Sequence, residues 1–592
     1  MDRECHPVID RTDFAAVPLL RPKARRRAWR GAAIPWNDIA AFVLLATIAV
    51  LVARGAEGMA EPLARLRTAP VTLDPALLPG YALRTTLRMF AALGASLAFT
   101  FAAAALAAKS RRAEMLIIPA LDILQSVPIL GFLTFTVSFF MGLFPARQLG
   151  VELAAIFAIF TSQAWNMAFS FYQSLRTVPE DLKEVSASFG LSPWRRFVRL
   201  ELPFATPALV WNTMMSMSGG WFFVVASEAI SVGDTRVLLP GIGSWLALAI
   251  DAGDVRSVAW AVAAMAIVIL AYDQIMFRPV VAWADRFRFE QTAAQTRPRS
   301  WLYDLFRRAG LPGVIAATLR RAIDRLPSLP RRAARPVRSE PRHTTARSLG
   351  VWRALIALAV GGGTWLVAGY LSTRLSWGDA RAALTLGLFT MVRVLALIAL
   401  ASLIWVPVGM WIGLRPRWAA RLQPVAQFLA AFPANVLFPV AVIAILRWHL
   451  SPDIWLSPLM VLGTQWYILF NVIAGASAIP NDLREVAQLS GLTGWSWWRR
   501  LGLPAIFPYY VTGALTASGG SWNASIVAEA VSWGQDHLQA AGLGSYIARA
   551  TAAGDMARVT LGIAVMSLFV IAFNRLLWRP LYGYAERRLR LA

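Results

Sequence analysis

Long apolar segments, separated by short polar ones, are the feature that most constrains how this chain can fold. Of its 592 residues, 57% are hydrophobic and only 15% are charged, and a helix crosses a bilayer core with about 20 apolar residues. The sequence therefore predicts an all-α membrane protein with about twelve transmembrane helices. The predicted spans lie near residues 39–53, 81–108, 115–143, 151–172, 206–227, 257–280, 351–371, 381–413, 420–446, 454–476, 509–530 and 556–578.

The first apolar segment has two interpretations. A basic cluster precedes it, as in a cleaved signal peptide. We favour an uncleaved span, because the segment starts late and Trp36 and Arg54 flank it as interfacial residues would.

The spans fall into two groups of six, which predicts two parallel six-helix repeats related by an axis along the membrane normal. We expect a basic N-terminus at 1–38, a first half at 39–281 with its core at about 80–280, and a second half at 351–592 with its core at about 380–580. Residues 282–350 are rich in Arg and Pro. They predict a cytoplasmic linker with a surface helix around 301–326.

The net charge of +25 comes from Arg and Lys residues that lie between the apolar segments. These residues are concentrated in alternate loops, and that bias predicts that both termini and both polar segments lie in the cytoplasm. A soluble basic face of the kind that binds nucleic acid is not indicated. We therefore expect contact with membrane lipid and no nucleic-acid partner.

Several functional groups are missing from the sequence. The single cysteine, Cys5, excludes an intrachain disulfide, and the four histidines are too far apart to predict a metal site. The only lysines are Lys23, Lys109 and Lys183, and none follows a glycine, so no Walker A loop exists. We expect no catalytic residue, enzyme activity or cofactor in this chain. If ATP drives it, another chain hydrolyses the nucleotide.

A polar segment occurs twice, from Pro179 to Pro203 and from Pro480 to Pro504, and the two copies keep one register of 301 residues. Each interrupts the apolar pattern with Glu, Gly and Leu-Pro at fixed spacing. A hairpin that only links two spans would not need that spacing in both halves. We favour a rigid, partly apolar projection that docks into a groove of a soluble partner, and two copies imply a pair of partner subunits.

The first copy carries helix start and stop signals. Residues 177–180 have the pattern of a capping box, and Gly190 is placed to end the helix in a left-handed cap. Ser192 and Pro193 then start a second helix, which Pro203 is expected to end. The pattern predicts a short helix, a sharp turn and another short helix.

The order Glu-Val-Ser, three residues, Gly, nine residues, Leu-x-Leu-Pro resembles the "EAA" loop of ABC importer permeases of the type I fold. That loop reads Glu-Ala-Ala, three residues, Gly, nine residues, Ile-x-Leu-Pro. Here Val replaces the first Ala in both copies, Ser186 replaces the second Ala in the first copy, and Leu replaces Ile. The residues assigned to the loops are Glu184, Ala187, Gly190, Leu200, Leu202 and Pro203, and Glu485, Ala487, Gly491, Leu501, Leu503 and Pro504.

This resemblance implies a multi-pass permease of the bacterial inner membrane, with both halves fused in one chain. It implies two cytoplasmic ABC ATPase subunits that use Mg-ATP and contact Glu184 and Glu485, and an extracytoplasmic solute-binding protein. Residues 528–530 and 542–544 are similar to the nitrate, sulfonate and taurine branch of these permeases. That branch implies a small anion or a small organic solute as the substrate.

Polar and small residues within the spans are candidates for a pathway or a gate. Each has a structural alternative: an acid can cap the next segment, glycines can allow close packing, and amides can form interhelical hydrogen bonds. Pro128 and Pro433 are expected to kink the third span of each half. The candidates are Glu228, Glu529, Gly219, Gly220, Gly519, Gly520, Gln163, Asn166, Gln465 and Asn523, with Asp122, Gln125, Gln427, Asn435 and Asn471 as further polar positions.

Two other classes of protein fit less well. An ion-coupled secondary transporter of six-plus-six type is the main alternative, but its Gly/Asp/Arg-rich loop after the second span is absent from residues 108–113. A membrane-embedded enzyme would need a cluster of His, Asp or Glu, or a Ser-His pair, and the sequence shows neither.

Overall fold

The computed structural model describes residues 36–59, 70–125, 128–145, 147–232, 235–287, 300–308 and 346–589. The basic N-terminus and most of the predicted linker lie outside these residues. Within the linker, the described part of the expected surface helix is Trp301–Arg308.

The first half is built from helices whose order follows the predicted spans, with short helices between them. They are α1 (Trp36–Met59), α2 (Leu78–Lys109), α3 (Arg111–Leu124), α4 (Ile129–Leu143), α5 (Gln148–Arg176), α6 (Glu180–Ser188), α7 (Pro193–Arg196), α8 (Leu202–Glu228), α9 (Ile242–Asp251), α10 (Val255–Tyr272) and α11 (Arg278–Ala284), and the linker helix Trp301–Arg308 is α12.

The second half repeats this order. Its helices are α13 (Ala346–Ser372), α14 (Trp377–Gly413), α15 (Pro416–Ala431), α16 (Phe438–Arg447), α17 (Pro452–Trp455), α18 (Ser457–Leu462), α19 (Gln465–Ser477), α20 (Asn481–Leu489), α21 (Gly494–Trp497), α22 (Leu503–Ala528), α23 (Leu543–Ala552), α24 (Met556–Phe573) and α25 (Arg579–Arg588).

The described helices confirm the prediction of a helical membrane protein. By length and composition, six of them could cross a membrane, or eight if each of two bent pairs is one span. The long helices α8 and α22 are not in that set, although they contain 27 and 26 residues. At about 1.5 Å per residue they are long enough to cross. Polar residues lower the mean hydropathy of these helices, as Asn212 and Ser216 do in α8.

Two short β-hairpins interrupt the helical order where the sequence predicted only loops. Strand β1 (Ala229–Val232) pairs with β2 (Thr235–Leu238), and β3 (Ala530–Trp533) pairs with β4 (Asp536–Gln539), both antiparallel. Each hairpin follows a long helix and leads into α9 or α23. Residues 240–245, which lie between two predicted spans, include the buried start of helix α9.

The third span of each half is broken at the predicted proline. Pro128 and Pro433 both have extended backbone, with ψ of 117° and 114°, which interrupts the helical hydrogen bonds. In the second half the break bends the chain by 78° between α15 and the segment Ala434–Arg447. These breaks confirm the expected kinks.

The two halves interlock through the broken spans. The Asn435 side chain donates from Nδ2 to the carbonyl oxygen of Phe222 in α8 (3.1 Å). In the other direction, the backbone N–H of Ile129, at the start of α4, donates to Oδ1 of Asn523 in α22 (2.7 Å). Phe222 and Asn523 are themselves 301 residues apart, so the same place in each long helix receives the broken span of the other half.

Candidate functional site

A cavity of about 220 Å³ lies between the two halves. The long helices α8 and α22 line it from both sides, and the broken third spans and α5 complete it. Its lining includes Thr161, Ser162, Trp165, Asn166, Ser216, Ser218, Gly219, Phe222, Phe432, Thr464, Tyr467, Thr516, Ser518, Gly519, Gly520, Asn523, Asn574 and Trp578.

The lining offers hydroxyl groups, amides and aromatic faces. Among the described residues that line the cavity, none carries a charge. Such a surface can hold a small solute by hydrogen bonds and by aromatic contacts without trapping it on a fixed charge. Weak, distributed binding suits a site that must also release its ligand.

Five of the candidate pathway residues line this cavity: Asn166, Gly219, Gly519, Gly520 and Asn523. Asn166 donates from Nδ2 to Oγ of Ser216 across α5 and α8 (3.0 Å). Of the further polar positions, Gln125 lines the cavity and Gln427 lines a smaller neighbouring one. The Asp122 side chain lies outside the described part of the chain.

Three other candidates have packing roles instead. Gln163 is fully buried and accepts a hydrogen bond from Ser96 (3.3 Å), and Gly220 lets α8 approach it so closely that a Cβ there would lie 2.7 Å from the Gln163 amide nitrogen. Gln465 accepts from Nε1 of Trp405 at 2.8 Å. The structural alternatives, interhelical hydrogen bonding and close packing, account for these residues.

Glu228 and Glu529 lie away from the cavity, at the other end of the long helices from the polar loops. Glu228 is fully buried, and its Oε2 accepts from the backbone N–H of Gly243 at the start of α9 (2.7 Å). Glu529 accepts from Gly544 in the same way (2.7 Å). The pathway interpretation of both acids gives way to the alternative, in which they cap the next helix. A Cβ on Gly241 or Gly542 would overlap these carboxylates, which explains the paired Gly-x-Gly segments.

Each capping acid belongs to a charged cluster that sequence reasoning missed. In the first half Arg88 donates to Glu228 (2.7 Å) and through Nη2 to Glu152 (2.7 Å), and all three side chains are fully buried. A charged residue in the middle of an apolar span was the available signal, because a charge there needs a partner.

The second half repeats the cluster with a different exposure. Arg393 lies 3.3 Å from Glu529 and 3.0 Å from Asp453, and Asp453 is 57% exposed. The acids of the two clusters keep the register of the polar segments, because Asp453 follows Glu152, and Glu529 follows Glu228, by 301 residues. Arg393 follows Arg88 by 305 residues instead.

The repeated polar segments fold as predicted in their turns. Gly190 and Gly491 have φ of 63° and 64°, the left-handed region that favours glycine. The N–H of Leu191 bonds back to the Ser186 carbonyl (3.2 Å), and Leu492 bonds to Ala487 (2.9 Å), which closes each turn. We call residues 179–203 and 480–504 the first and second coupling loops, after the role that the sequence resemblance implies for them.

Helix α7 begins as expected, with the Ser192 side chain accepting from Arg195 N–H (3.3 Å). Pro203, however, does not end it. A π-helical turn, Phe197–Glu201, continues the chain into α8, and the N–H of Leu202 bonds to the Phe197 carbonyl. Proline is tolerated because it falls in the first turn of α8, where no helical N–H is needed. The second loop joins α22 through the same kind of turn, Trp498–Gly502.

Two smaller expectations also fail. The predicted capping box does not form, because Thr177 closes the preceding helix α5 and α6 begins without a side-chain cap. Ala187, grouped with the loop motif, is exposed, whereas Ser186 and Ala487 hold the same register and are both buried. The small buried position of the motif is therefore Ser186.

Each coupling loop exposes an apolar surface beside an exposed acid. Phe189 and Leu489 are 78% and 88% exposed, and Glu184 and Glu485 are exposed on the same short helices. The exposed apolar residues are Val185, Phe189 and Trp194 in the first loop and Val486, Leu489 and Trp495 in the second. The motif leucines Leu200, Leu202, Leu501 and Leu503 are half-buried, and all but Leu200 pack on the hydrophobic cores. A lysine hydrogen bond, from Lys183, holds the pKa of the Glu180 carboxyl below its ordinary value.

Two helical repeats around a shared cavity, each with a projecting loop, are the architecture of a two-domain membrane permease. Residues 79–278 and 405–591 match the family model described as binding-protein-dependent transport system inner membrane component. These matches cover more than half of the chain, so the chain belongs to this family and carries its domain twice. The resemblance found in the EAA-type loops is confirmed, and the secondary-transporter alternative is not favoured.

Several curated proteins are similar to parts of the chain. The bicarbonate transport system permease protein CmpB of Synechococcus elongatus is 31% identical over 156 residues, 26% of this chain and 55% of CmpB. The nitrate import permease protein NrtB of Leptolyngbya laminosa is 28% identical over 177 residues, 30% of this chain and 60% of NrtB. The glycine betaine/proline betaine transport system permease protein ProW of Escherichia coli is 32% identical over 138 residues, 23% of this chain and 36% of ProW. The chain spans about half the length of the curated relatives it matches.

Proposed function

We propose that this chain is the permease subunit of an ATP-driven importer, with both transmembrane domains fused, and that its solute crosses through the central cavity. The observation that carries the proposal is the direct connection between loop and cavity. Each exposed coupling loop continues through a π-helical turn into the long helix that lines the cavity.

The partners follow from the loops. Two cytoplasmic ABC ATPase subunits bind the apolar faces around Phe189 and Leu489, with Glu184 and Glu485 at the contact. They bind and hydrolyse Mg-ATP, since this sequence has no Walker A loop. An extracytoplasmic binding protein delivers the solute. The chain lies in a bacterial inner membrane with both termini and both loops in the cytoplasm.

The long helices act as levers in this mechanism. Gly190 and Gly491 fix the turn of each loop, and from Phe197 to Gly219 the chain is helical for roughly 33 Å at 1.5 Å per residue. Closure of the ATPase dimer draws the loops together and tilts α8 and α22 at the cavity. The partner's preference for one arrangement thereby opens the cavity to one side of the membrane at a time.

The cavity suits a small anion or a small organic solute. Its hydroxyl and amide groups can replace the hydration of either. The relatives named for bicarbonate, nitrate and betaines show that permeases of this family serve both kinds of solute. Recognition of one solute among these is left mainly to the binding protein.

The experiment that tests the proposal is capture of the cognate ATPase subunit by the full chain in detergent. We expect Glu184→Arg combined with Glu485→Arg to reduce capture at least about tenfold, because both contacts are then repelled or left unpaired. Glu180→Arg is the control, since it reverses one exposed charge on α6 outside the motif. If the double variant captured as much ATPase as the wild type, the docking role would be wrong.

A further inference from the structure

The two coupling loops are anchored to the helical bundle by different chemistry. At the root of the first loop, where it joins α8, the Glu201 carboxylate is 8% exposed and accepts from Nε of Arg196 at 3.0 Å. Lys109, at the end of α2, lies 3.5 Å from the same carboxylate, and its ammonium also sits 4.4 Å above the Phe197 ring. The first loop is thus tied to the second span by a three-residue ionic cluster, which we call the latch.

The second loop has no charge at these places. In the register of 301 residues, Trp497 takes the place of Arg196 and Gly502 that of Glu201. The arginines of α2 and α14 are 305 residues apart, and in that register Leu414 takes the place of Lys109. Gly502 is buried, and a Cβ there would lie 2.8 Å from Cζ3 of Trp497. Packing of Trp497 and Leu414 on the second-half core replaces the ion pairs.

A second contact at the same end of the bundle repeats this difference. In the first half Tyr172 donates to Glu114 (2.6 Å), and Arg176 lies 3.8 Å from the same carboxylate. In the second half Ala419 and Ile473 hold the places of Glu114 and Tyr172, and both belong to an apolar cluster. Ion pairs hold the loop-bearing end of the first half, whereas apolar packing and a hydrogen bond from Arg484 to the Ala476 carbonyl (2.9 Å) hold that of the second half.

We propose that Lys109, Arg196 and Glu201 are positioning residues that set the order of the first coupling loop, so that the two loops respond differently to ionic strength. Salt reaches the latch, because the Lys109 and Arg196 side chains are 42% and 37% exposed. Apolar packing at the second root is not weakened in this way. This inference rests on the proposed function. It means that the two ATPase subunits bind non-equivalent loops, and that salt weakens the coupling through the first loop.

Hydrogen exchange of the full chain in nanodiscs tests the latch without any partner. Amides of residues 180–196 and 481–497 are compared in the same molecule, so the second loop is an internal control. We expect exchange in the first loop to rise about two- to fivefold between about 0.05 M and about 1 M NaCl, as for the loss of partly exposed ion pairs, with little change in the second.

Variants separate the latch from a general loss of structure. In Glu201→Gln, the amides of the first loop should exchange fast at both salt concentrations. In Lys109→Arg, which keeps the charge, these amides should stay protected at low salt. Glu180→Gln is the control on the same loop, because its ion pair with Lys183 lies outside the root. Equal salt responses of the two loops, or wild-type protection in Glu201→Gln at low salt, would overturn the proposal. If the latch responds as expected but the chain captures no ATPase, the proposed function fails and the positioning role stands.

Discussion

At the residue scale, the strongest demands on the fold come from buried charges. Arg88, Glu152 and Glu228 have no contact with solvent, and each relies on the others to compensate its desolvation. Their role is to tie α2, α5 and α8 together and to hold the start of α9. The equivalent cluster around Arg393 does the same with an acid, Asp453, that water can reach.

Because the two clusters differ in exposure, we expect an arginine-to-alanine substitution to lower stability more in the first cluster than in the second. Arg88→Ala leaves two buried carboxylates without a cation, and loss of one partner of a buried pair costs about 3–5 kcal/mol. Arg393→Ala should lower stability less, because solvent can compensate Asp453. Thermal unfolding of both variants in nanodiscs measures the difference. An equal or larger drop for Arg393→Ala would contradict the assigned roles.

At the element scale, the long helices α8 and α22 connect the two parts of the proposed mechanism. One end of each continues into a coupling loop, and the middle lines the cavity. The glycines of the two helices differ in their surroundings. A Cβ on Gly519 would meet nothing within 4 Å, whereas one on Gly220 would lie 2.6 Å from Cε of Met89. The first position faces open space and the second faces a packed neighbour.

We therefore expect Gly519→Val to block the pathway without harming the fold. Uptake of the cognate solute by proteoliposomes holding the whole complex should fall at least about tenfold, while ATPase capture stays at the wild-type level. Gly220→Val is the contrasting variant, since it overpacks α8 against α2 and should lower the unfolding temperature. Normal uptake by a folded Gly519→Val complex would show that the solute does not pass this surface.

The local signals in the sequence were sufficient for much of these elements. The positive φ at Gly190 and the cap at Ser192 follow from residues next to each other in the chain, and both were predicted. The capping box at Thr177 failed because the preceding helix α5 runs on to Arg176 and uses Thr177 as its own end. Pro203 differs from its prediction for a related reason: proline can stand in the first turn of a helix, and here it does so in α8.

The site depends on contacts that the sequence alone does not fix. Gln163 and Asn166 are three residues apart on α5, yet one is packed against α2 and the other lines the cavity. Only the rotation of the helix against its neighbours decides between them. Likewise Arg88 and Glu228 are 140 residues apart in the chain, so their pairing appears only when α2 and α8 pack together.

At the scale of the whole molecule, the repeat is close in geometry and divergent in chemistry. The interlocking of the broken spans with the opposite long helices makes one cavity from two domains. At one end, the first half uses a fully buried charge cluster and the second a partly exposed one. At the loop end, ion pairs hold the first half, and apolar packing with one hydrogen bond from Arg484 to a backbone carbonyl holds the second. The two halves therefore share one backbone arrangement, while the contacts at their two ends differ in charge and in exposure.

The central claim is that the loops move together and drive the cavity helices. The most direct measurement is the distance between spin labels at positions 185 and 486, both exposed on the coupling loops, in the full complex with its ATPase subunits. Labelling uses a chain in which Cys5 is replaced by Ser. If the loops move together, the distance is shorter when a non-hydrolysable ATP analogue closes the ATPase dimer than in the nucleotide-free complex. An unchanged distance in a complex whose ATPase dimer has closed would contradict it.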